Sequence, residues 1–255
     1  MDGSDSRKNA PAAHIVLGVP HSINSGIYVG IDLIEKTLRF CPDIGPEIFT
    51  RNATKFLRGT GWEMEWKDNF ICPSEFEYMA VTLEKWFGYM NVALELMQHM
   101  TKNNQDIAKV TKMLSWFYCI INDYSDFVKA EISEGKNLCD DLVEGKFSFP
   151  VIHAIKTKGN LEVFGEITDT NLLQKVLSCF CSTDMFCQRK SDIDSKFRLI
   201  EILEKEGSFE FTRNYLIELH KEMIDATNEL GGNPLFEKTM NELLADVLAQ
   251  KPPKR

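Results

Sequence analysis

Residues 113–155 read MLSWFYCIINDYSDFVKAEISEGKNLCDDLVEGKFSFPVIHAI, and this stretch decides how the chain is to be understood. It opens on an apolar helical run in which Val110, Leu114, Phe117, Ile121 and Tyr124 recur at steps of three and four. The run ends in Asn122, Asp123 and Asp126, three oxygen-bearing side chains within about one turn. Residues three and four apart share a helix face, so the spacing aims this trio at one spot. Lys136 and Lys146 punctuate the following loop, and Phe147-Ser148-Phe149-Pro150 opens a further apolar segment. Acids at the end of a buried helix repel one another and lose hydration unless something positive is held between them. Hard divalent cations take oxygen ligands and bridge carboxylates to phosphate oxygens, while lysines neutralise the remaining phosphate charge. An acidic trio at a helix end is also the ordinary look of a solvated terminus. Here the helix leading into it is apolar on all sides, which tips the reading toward a magnesium–diphosphate site.

Composition narrows the class. Apolar residues make up 44% of the 255 and charged residues 26%, ordinary values for a globular protein, and the length allows one large core or two modest ones. The net charge of −9, relieved only by a short basic tail from Lys251 to Arg255, argues against a nucleic-acid partner. No apolar run reaches the length of a transmembrane segment, and Met1-Asp2-Gly3-Ser4 opens neither a signal nor a transit peptide, so a cytoplasmic protein is expected. Seven cysteines are an odd number, and reduced thiols are expected. Cys179, Cys181 and Cys187 cluster without a nearby histidine, so they read as small hydrophobes rather than a zinc site. Asn52-Ala53-Thr54 has the form of a glycosylation acceptor and would stay unmodified in the cytosol.

Helical periods fill the remainder. Residues 1–22 read as an exposed lead-in and 249–255 as a tail. Ile23, Ile27, Ile31, Ile34 and Leu38 mark a helix closed by Cys41-Pro42, and Pro46 starts another that runs to Gly59. Ser74 with Glu77 has the spacing of a capping box, and the helix after it carries Leu83, Trp86, Phe87, Met90, Leu94 and Met97. Helices are further expected over 161–187 and 193–205, then as a final pair interrupted by Gly231-Gly232-Asn233-Pro234. Without alternating β-branched runs or a fixed repeat, the chain reads as all-α and as one domain over 1–255.

The segment NDYSDF…KNLCDDLVEGKFSFPVIHAI resembles the second aspartate-rich region of trans-isoprenyl diphosphate synthases, particularly animal, insect-like geranylgeranyl diphosphate synthases. The likeness runs from about Pro11 to Leu235 and includes PAAHIVLGVPHSINS, WKDNFICPSEFEYMA and GSFEFTRN…GGNP; this last piece and the central stretch are diagnostic in combination. It implies a helical bundle around a central cavity, here lacking the first helices. In that bundle two aspartate-rich motifs hold magnesium ions on an allylic diphosphate, whose ionisation gives a cation that isopentenyl diphosphate attacks. By the resemblance, Asp2, Asn122, Asp123 and Asp126 are the metal residues. Arg7, Lys8, Lys85, Lys136 and Lys146 bind diphosphate, and Lys85, Asp123 and Lys136 carry the catalytic roles. A homodimer or higher homo-oligomer is likewise implied.

Departures from the family pattern fall mostly on cavity or phosphate positions. Asn122 stands where a metal-binding aspartate belongs and removes one formal negative charge. Trp86 replaces a threonine, Phe87 a glycine and Cys119 a glutamine, while Arg58, Thr60 and Glu63 stand in place of Gln, Gln and Asp. The chain begins too late to hold the rest of the first motif and its upstream helices. Three functions follow as expectations: a geranylgeranyl diphosphate synthase-like prenyltransferase whose activity is reduced in this short form; a terpene synthase that ionises a prenyl diphosphate; and a non-catalytic partner subunit of an active homologue.

Overall fold

The computed structural model describes residues 6–7, 10–69, 71–128, 138–139, 141, 144–159 and 193–253. Helices dominate. A two-residue antiparallel ladder pairs β1 (Ser6–Arg7) with β2 (Ala10–Pro11). After it come α1 (Ala13–Leu17), α2 (Val19–Phe40), α3 (Gly45–Asp68), α4 (Glu75–Thr82), a π-helical turn (Leu83–Phe87) and α5 (Gly88–Thr101). The remainder is α6 (Ala108–Val128), α7 (Phe149–Gly159), α8 (Ile193–Lys205), α9 (Ser208–Glu229) and α10 (Pro234–Ala249). The all-α expectation holds; the helix expected over 161–187, with its cysteine cluster, lies outside the described residues.

Helix boundaries follow local chemistry. The Ser74–Glu77 capping box forms: Glu77 N–H donates to Ser74 Oγ, and Ser74 N–H donates to the Glu77 carboxylate at 2.7 Å. Asn233 caps α10 through the Phe236 N–H, with Pro234 just inside. Within residues 1–22, α1 begins at Ala13 and α2 at Val19, and no described side chain there is buried. Pro20 falls in the first turn of α2, where its missing N–H costs no helical bond.

Contacts divide the chain into two compact units. In the unit made of residues 1–61 and 84–105, α3 and α5 meet locally at Asn52, where Gly88 and Glu95 approach it. A Cβ at Gly88 would stand 2.9 Å from the Asn52 carbonyl oxygen, so glycine permits the approach. Asn52 is fully buried and donates to the Ile48 carbonyl at 2.9 Å and to Glu95 at 3.2 Å. Glu95 also receives Arg51. The apolar period of α2 is helical as expected but not buried: Ile23, Ile27, Ile31 and Leu38 are all at least half exposed.

In the unit made of residues 62–83 and 106–255, α6 is the central element, packing on α4, α7 and most extensively on α9. Phe117, Ile120, Tyr124 and Phe127 are fully buried on it. Tyr124 and Phe127 pack on Phe209 of α9, and Arg213 donates to the Tyr124 hydroxyl at 3.0 Å. Trp116 Nε1 donates to the Met79 carbonyl at 2.9 Å and ties α6 to α4. An aromatic cluster of Tyr78, Phe149, Phe211 and Tyr215 joins α4, α7 and α9.

Candidate active site at the end of α6

From Cys119 to Val128 only Asn122 is exposed and only Asp126 is half-buried; every other side chain is buried. The three polar residues at the end of this run therefore divide. Asn122 and Asp126, four apart, share the open side of the helix. Asp123 turns inward and is 0% exposed.

Asp123 is the hub of the site. Its Oδ2 accepts from the Tyr78 hydroxyl at 2.7 Å and from the Phe149 backbone N–H at 2.8 Å, while Oδ1 accepts from Lys146 Nζ at 2.7 Å. Phe149 is the first residue of α7, so the carboxylate also sits at the positive end of that helix. Lys146 forms a second ion pair, with Asp141 at 2.8 Å, and its side chain is about a fifth exposed (21%). Asp141 N–H donates to Asp126 Oδ2 at 3.2 Å, and Cys139 N–H donates to the Asp126 carbonyl at 2.9 Å. Cys139 and Asp141 are thereby tied to the helix end that carries the trio.

Charge in this cluster is unbalanced: two carboxylates face one ammonium. Burial pushes the Asp123 carboxyl up; Lys146 offsets part of that effect and Asp141 adds to it. Burial pulls on Lys146 in the opposite sense, but Asp123 and Asp141 together outweigh it and hold the ammonium well above its usual range. Burial and the neighbouring Asp123 likewise push the Tyr78 hydroxyl well up, so it stays a donor. Cys119, one turn before Asp123, lies 3.3 Å from the Tyr78 hydroxyl and 3.8 Å from Thr82 Oγ1. Burial pushes its thiol up to about 12, so it remains protonated and unreactive at neutral pH.

Of the residues singled out from sequence, the structure brings Asp123 and Lys146 into direct contact and sets Asn122 and Asp126 beside them on one helix. Asp2, Lys8 and Lys136 lie outside the described residues, and Arg7 is described only as backbone in β1. Lys85 belongs to the other compact unit, half-buried in the π-helical turn beside the half-buried rings of Trp86 and Phe87. Single π turns inside α-helices recur at functional sites. In the same unit Arg58 pairs with both oxygens of Glu84, at 2.6 and 2.5 Å, next to Lys85. Sequence reasoning passed over Tyr78 and Asp141. Tyr78 had one signal, its place one turn inside the capped start of α4; Asp141 had another, the paired acids five residues before Lys146.

Residues 1–179 match the family model described as polyprenyl synthetase. The chain belongs to the polyprenyl synthetase family. Among its relatives, a protein of Matsumurasca onukii named terpene synthase is 36% identical over 244 residues, covering 96% of this chain and 75% of its own length. A geranylgeranyl pyrophosphate synthase of Mucor circinelloides f. lusitanicus is 31% identical over 248 residues, 97% and 76% of the two chains. One of Dictyostelium discoideum is 31% identical over 242 residues, 95% and 74%. The chain is thus a trans-prenyltransferase-family enzyme of the geranylgeranyl diphosphate synthase-like kind. Among the described residues no helix is long and apolar enough to cross a membrane.

Proposed function

We propose that this protein binds an allylic diphosphate at the open end of α6 and condenses it with isopentenyl diphosphate. The division of the α6 trio carries this reading. Asn122 and Asp126 are both oxygen donors, four apart and on the less buried side, a set that suits a hard cation such as magnesium. Magnesium held there would stabilise the negative charge that develops on the departing diphosphate. Asp123 takes a positioning role in this scheme: it fixes Lys146, the Tyr78 hydroxyl and the start of α7, so the ammonium stands ready without a search through rotamers. Lys85, Lys136, Arg7 and Lys8 supply further positive charge for diphosphate, and Asp2 further metal ligation, in keeping with the sequence pattern.

A second reading has its own support. The chain shares 36% identity with the Matsumurasca onukii terpene synthase, and Asn122 offers a neutral oxygen in place of a carboxylate. On that reading the enzyme ionises a prenyl diphosphate without condensing it. The deciding experiment incubates purified protein with magnesium and farnesyl diphosphate, with and without labelled isopentenyl diphosphate, and extracts the products. Labelled geranylgeranyl diphosphate supports condensation. Hydrocarbon or alcohol formed from the allylic substrate alone supports the terpene synthase reading, and failure to consume either substrate refutes both.

A homo-oligomer belongs to the same proposal. The exposed apolar face of α2, with Ile27 at 62% and Ile31 at 61%, supports a second copy as its cover. Sedimentation of a monomer at micromolar concentration would overturn it. A cytoplasmic setting is kept as well, in keeping with the buried thiols of Cys41, Cys72 and Cys119, none of which is in a disulfide.

A further inference from the structure

The unit containing α2, α3 and α5 holds a cluster that the α6 site does not use. Cys41 ends α2, Asp43 sits in the turn before α3, and His99 lies in the last turn of α5. One ligand atom from each lies within 4.8 Å of the other two. The Asp43 carboxylate stands between its partners: Oδ1 is 3.6 Å from Cys41 Sγ, and Oδ2 is 3.2 Å from His99 Nε2.

We propose that Cys41, Asp43 and His99 form a binding site for a zinc-like divalent cation, separate from the magnesium–diphosphate chemistry at α6. The donor set decides the metal class. One thiolate, one imidazole and one carboxylate suit a borderline cation such as Zn2+, whereas magnesium takes oxygen ligands. The geometry is close to what that cation needs. With bonds of about 2.0–2.3 Å, tetrahedral ligand atoms stand roughly 3.3–3.8 Å apart. Each carboxylate oxygen of Asp43 already stands near that distance from one partner, Oδ1 from the thiol and Oδ2 from the imidazole, so a small turn of the carboxylate brings one oxygen to both; three protein ligands leave one position for water.

The frame around the cluster is stiff where it matters. Cys41 N–H donates to the Thr37 carbonyl at 2.9 Å, and Gly45 N–H donates to the Cys41 carbonyl at 2.7 Å. A Cβ at Gly45 would lie 2.7 Å from the Thr37 oxygen and 3.1 Å from Cys41 Cβ, so the turn closes this tightly only around glycine. Cys41 is buried while Asp43 and His99 are exposed, giving the metal an entry side and a dry side. A bound ion would clamp the α2–α3 turn to the far end of α5, the helix that continues directly from the turn bearing Lys85.

The test reads metal binding rather than catalysis, so its outcome does not depend on the reaction at α6. Metal-stripped full-length protein, kept reduced with a phosphine, is titrated with Co2+ and followed by absorption. One Co2+ per chain is expected, with a thiolate-to-metal charge-transfer band and visible bands of tetrahedral geometry. Zn2+ should displace it, and excess Mg2+ should not. Cys41→Ser should abolish the charge-transfer band. His99→Gln should weaken binding by more than the roughly 10–100-fold seen when only a ligand's supporting partner is lost. Zn2+ should also raise the melting temperature of the wild type and leave Cys41→Ser unmoved. If Cys41→Ser fails to fold, Asp43→Asn at its exposed position takes its place and should weaken binding as His99→Gln does. No charge-transfer band in the wild type would overturn the proposal. So would an unchanged band in the variants, which would assign the metal to other thiols such as Cys179, Cys181 and Cys187.

Discussion

Replacing Asp123 with asparagine tests whether this residue holds the site together from inside. The side chain keeps its shape but loses its charge, and its amide offers donors as well as one acceptor. Tyr78, Lys146 and the Phe149 N–H all point hydrogens at the two carboxylate oxygens, so at least one donor must face another. Lys146 keeps Asp141 at 2.8 Å, which limits the damage. Breaking a buried ion pair costs about 3–5 kcal/mol, because the remaining partner stays desolvated. Burial also disfavours the Asp123 charge itself, so relief of that cost pulls the net toward the lower end. Against a typical stability of about 5–15 kcal/mol this is a large loss, and at about 2–4 °C per kcal/mol it lowers the melting temperature by about 6–20 °C. Circular dichroism during heating measures it, with Tyr78→Phe as a milder companion expected to cost about 1.5–3 kcal/mol. A cycle with Lys146→Met should show strong non-additivity, since the two residues touch. An Asp123→Asn protein within about 1 kcal/mol of wild type, or additive double-variant losses, would refute the reasoning.

Three further outcomes are expected. Ser74→Ala removes the capping box at the start of α4 and should cost about 0.5–2 kcal/mol in urea denaturation, with Ser74→Gly milder. Gly88→Ala puts a methyl 2.9 Å from the Asn52 carbonyl oxygen, and overpacking of this kind should destabilise by about 1–3 kcal/mol in the same measurement. His153, stacked on Phe211 with ring centres 4.0 Å apart, is held below its ordinary titration range by burial, against a smaller opposing effect of Glu206. The folded state therefore binds fewer protons than the unfolded chain below about pH 6.5, and stability should fall as pH drops from there. His153→Gln should flatten that slope without removing it, because burial lowers His220 as well.

Much of the fold was legible because its signals are local. The capping box at Ser74, the Asn233-Pro234 start of α10 and the 193–205 helix all rest on neighbours in sequence. The α2 period was legible as a helix, yet its apolar face lies exposed, since periodicity reports which residues share a face and not what covers that face. The break between α4 and α5 was not legible. A π turn keeps the apolar spacing of Leu83, Trp86 and Phe87 near enough to helical that no glycine or proline marks it. The ladder at residues 6–11 also escaped, being two residues per strand. At the site, spacing placed Asn122, Asp123 and Asp126 on one turn, but Tyr78 and Asp141 joined them through packing across elements. The Cys41–Asp43–His99 cluster needed the same long-range information, with more than fifty residues separating its thiol from its imidazole.

The division of the α6 trio follows from helix geometry and the depth of the helix together. On an α-helix, residues 122 and 126 lie about 40° apart around the axis, while 123 lies about 100° from 122. When the helix packs on several neighbours, only a narrow strip stays open, and two residues four apart can share that strip while the residues between them, Asp123 among them, face inward. An inward aspartate survives only where donors surround it, and three do here. That arrangement makes the inward acid dependent on its lysine and tyrosine. It also leaves the charge of the open pair to residues 122 and 126 alone. Asparagine at 122 therefore halves the formal charge of the open strip relative to an Asp–Asp pair. The change bears directly on how strongly a cation is held there, and it leaves the internal network untouched. Chemistry at the strip can thus diverge, from condensation toward ionisation alone, while the fold beneath it is kept.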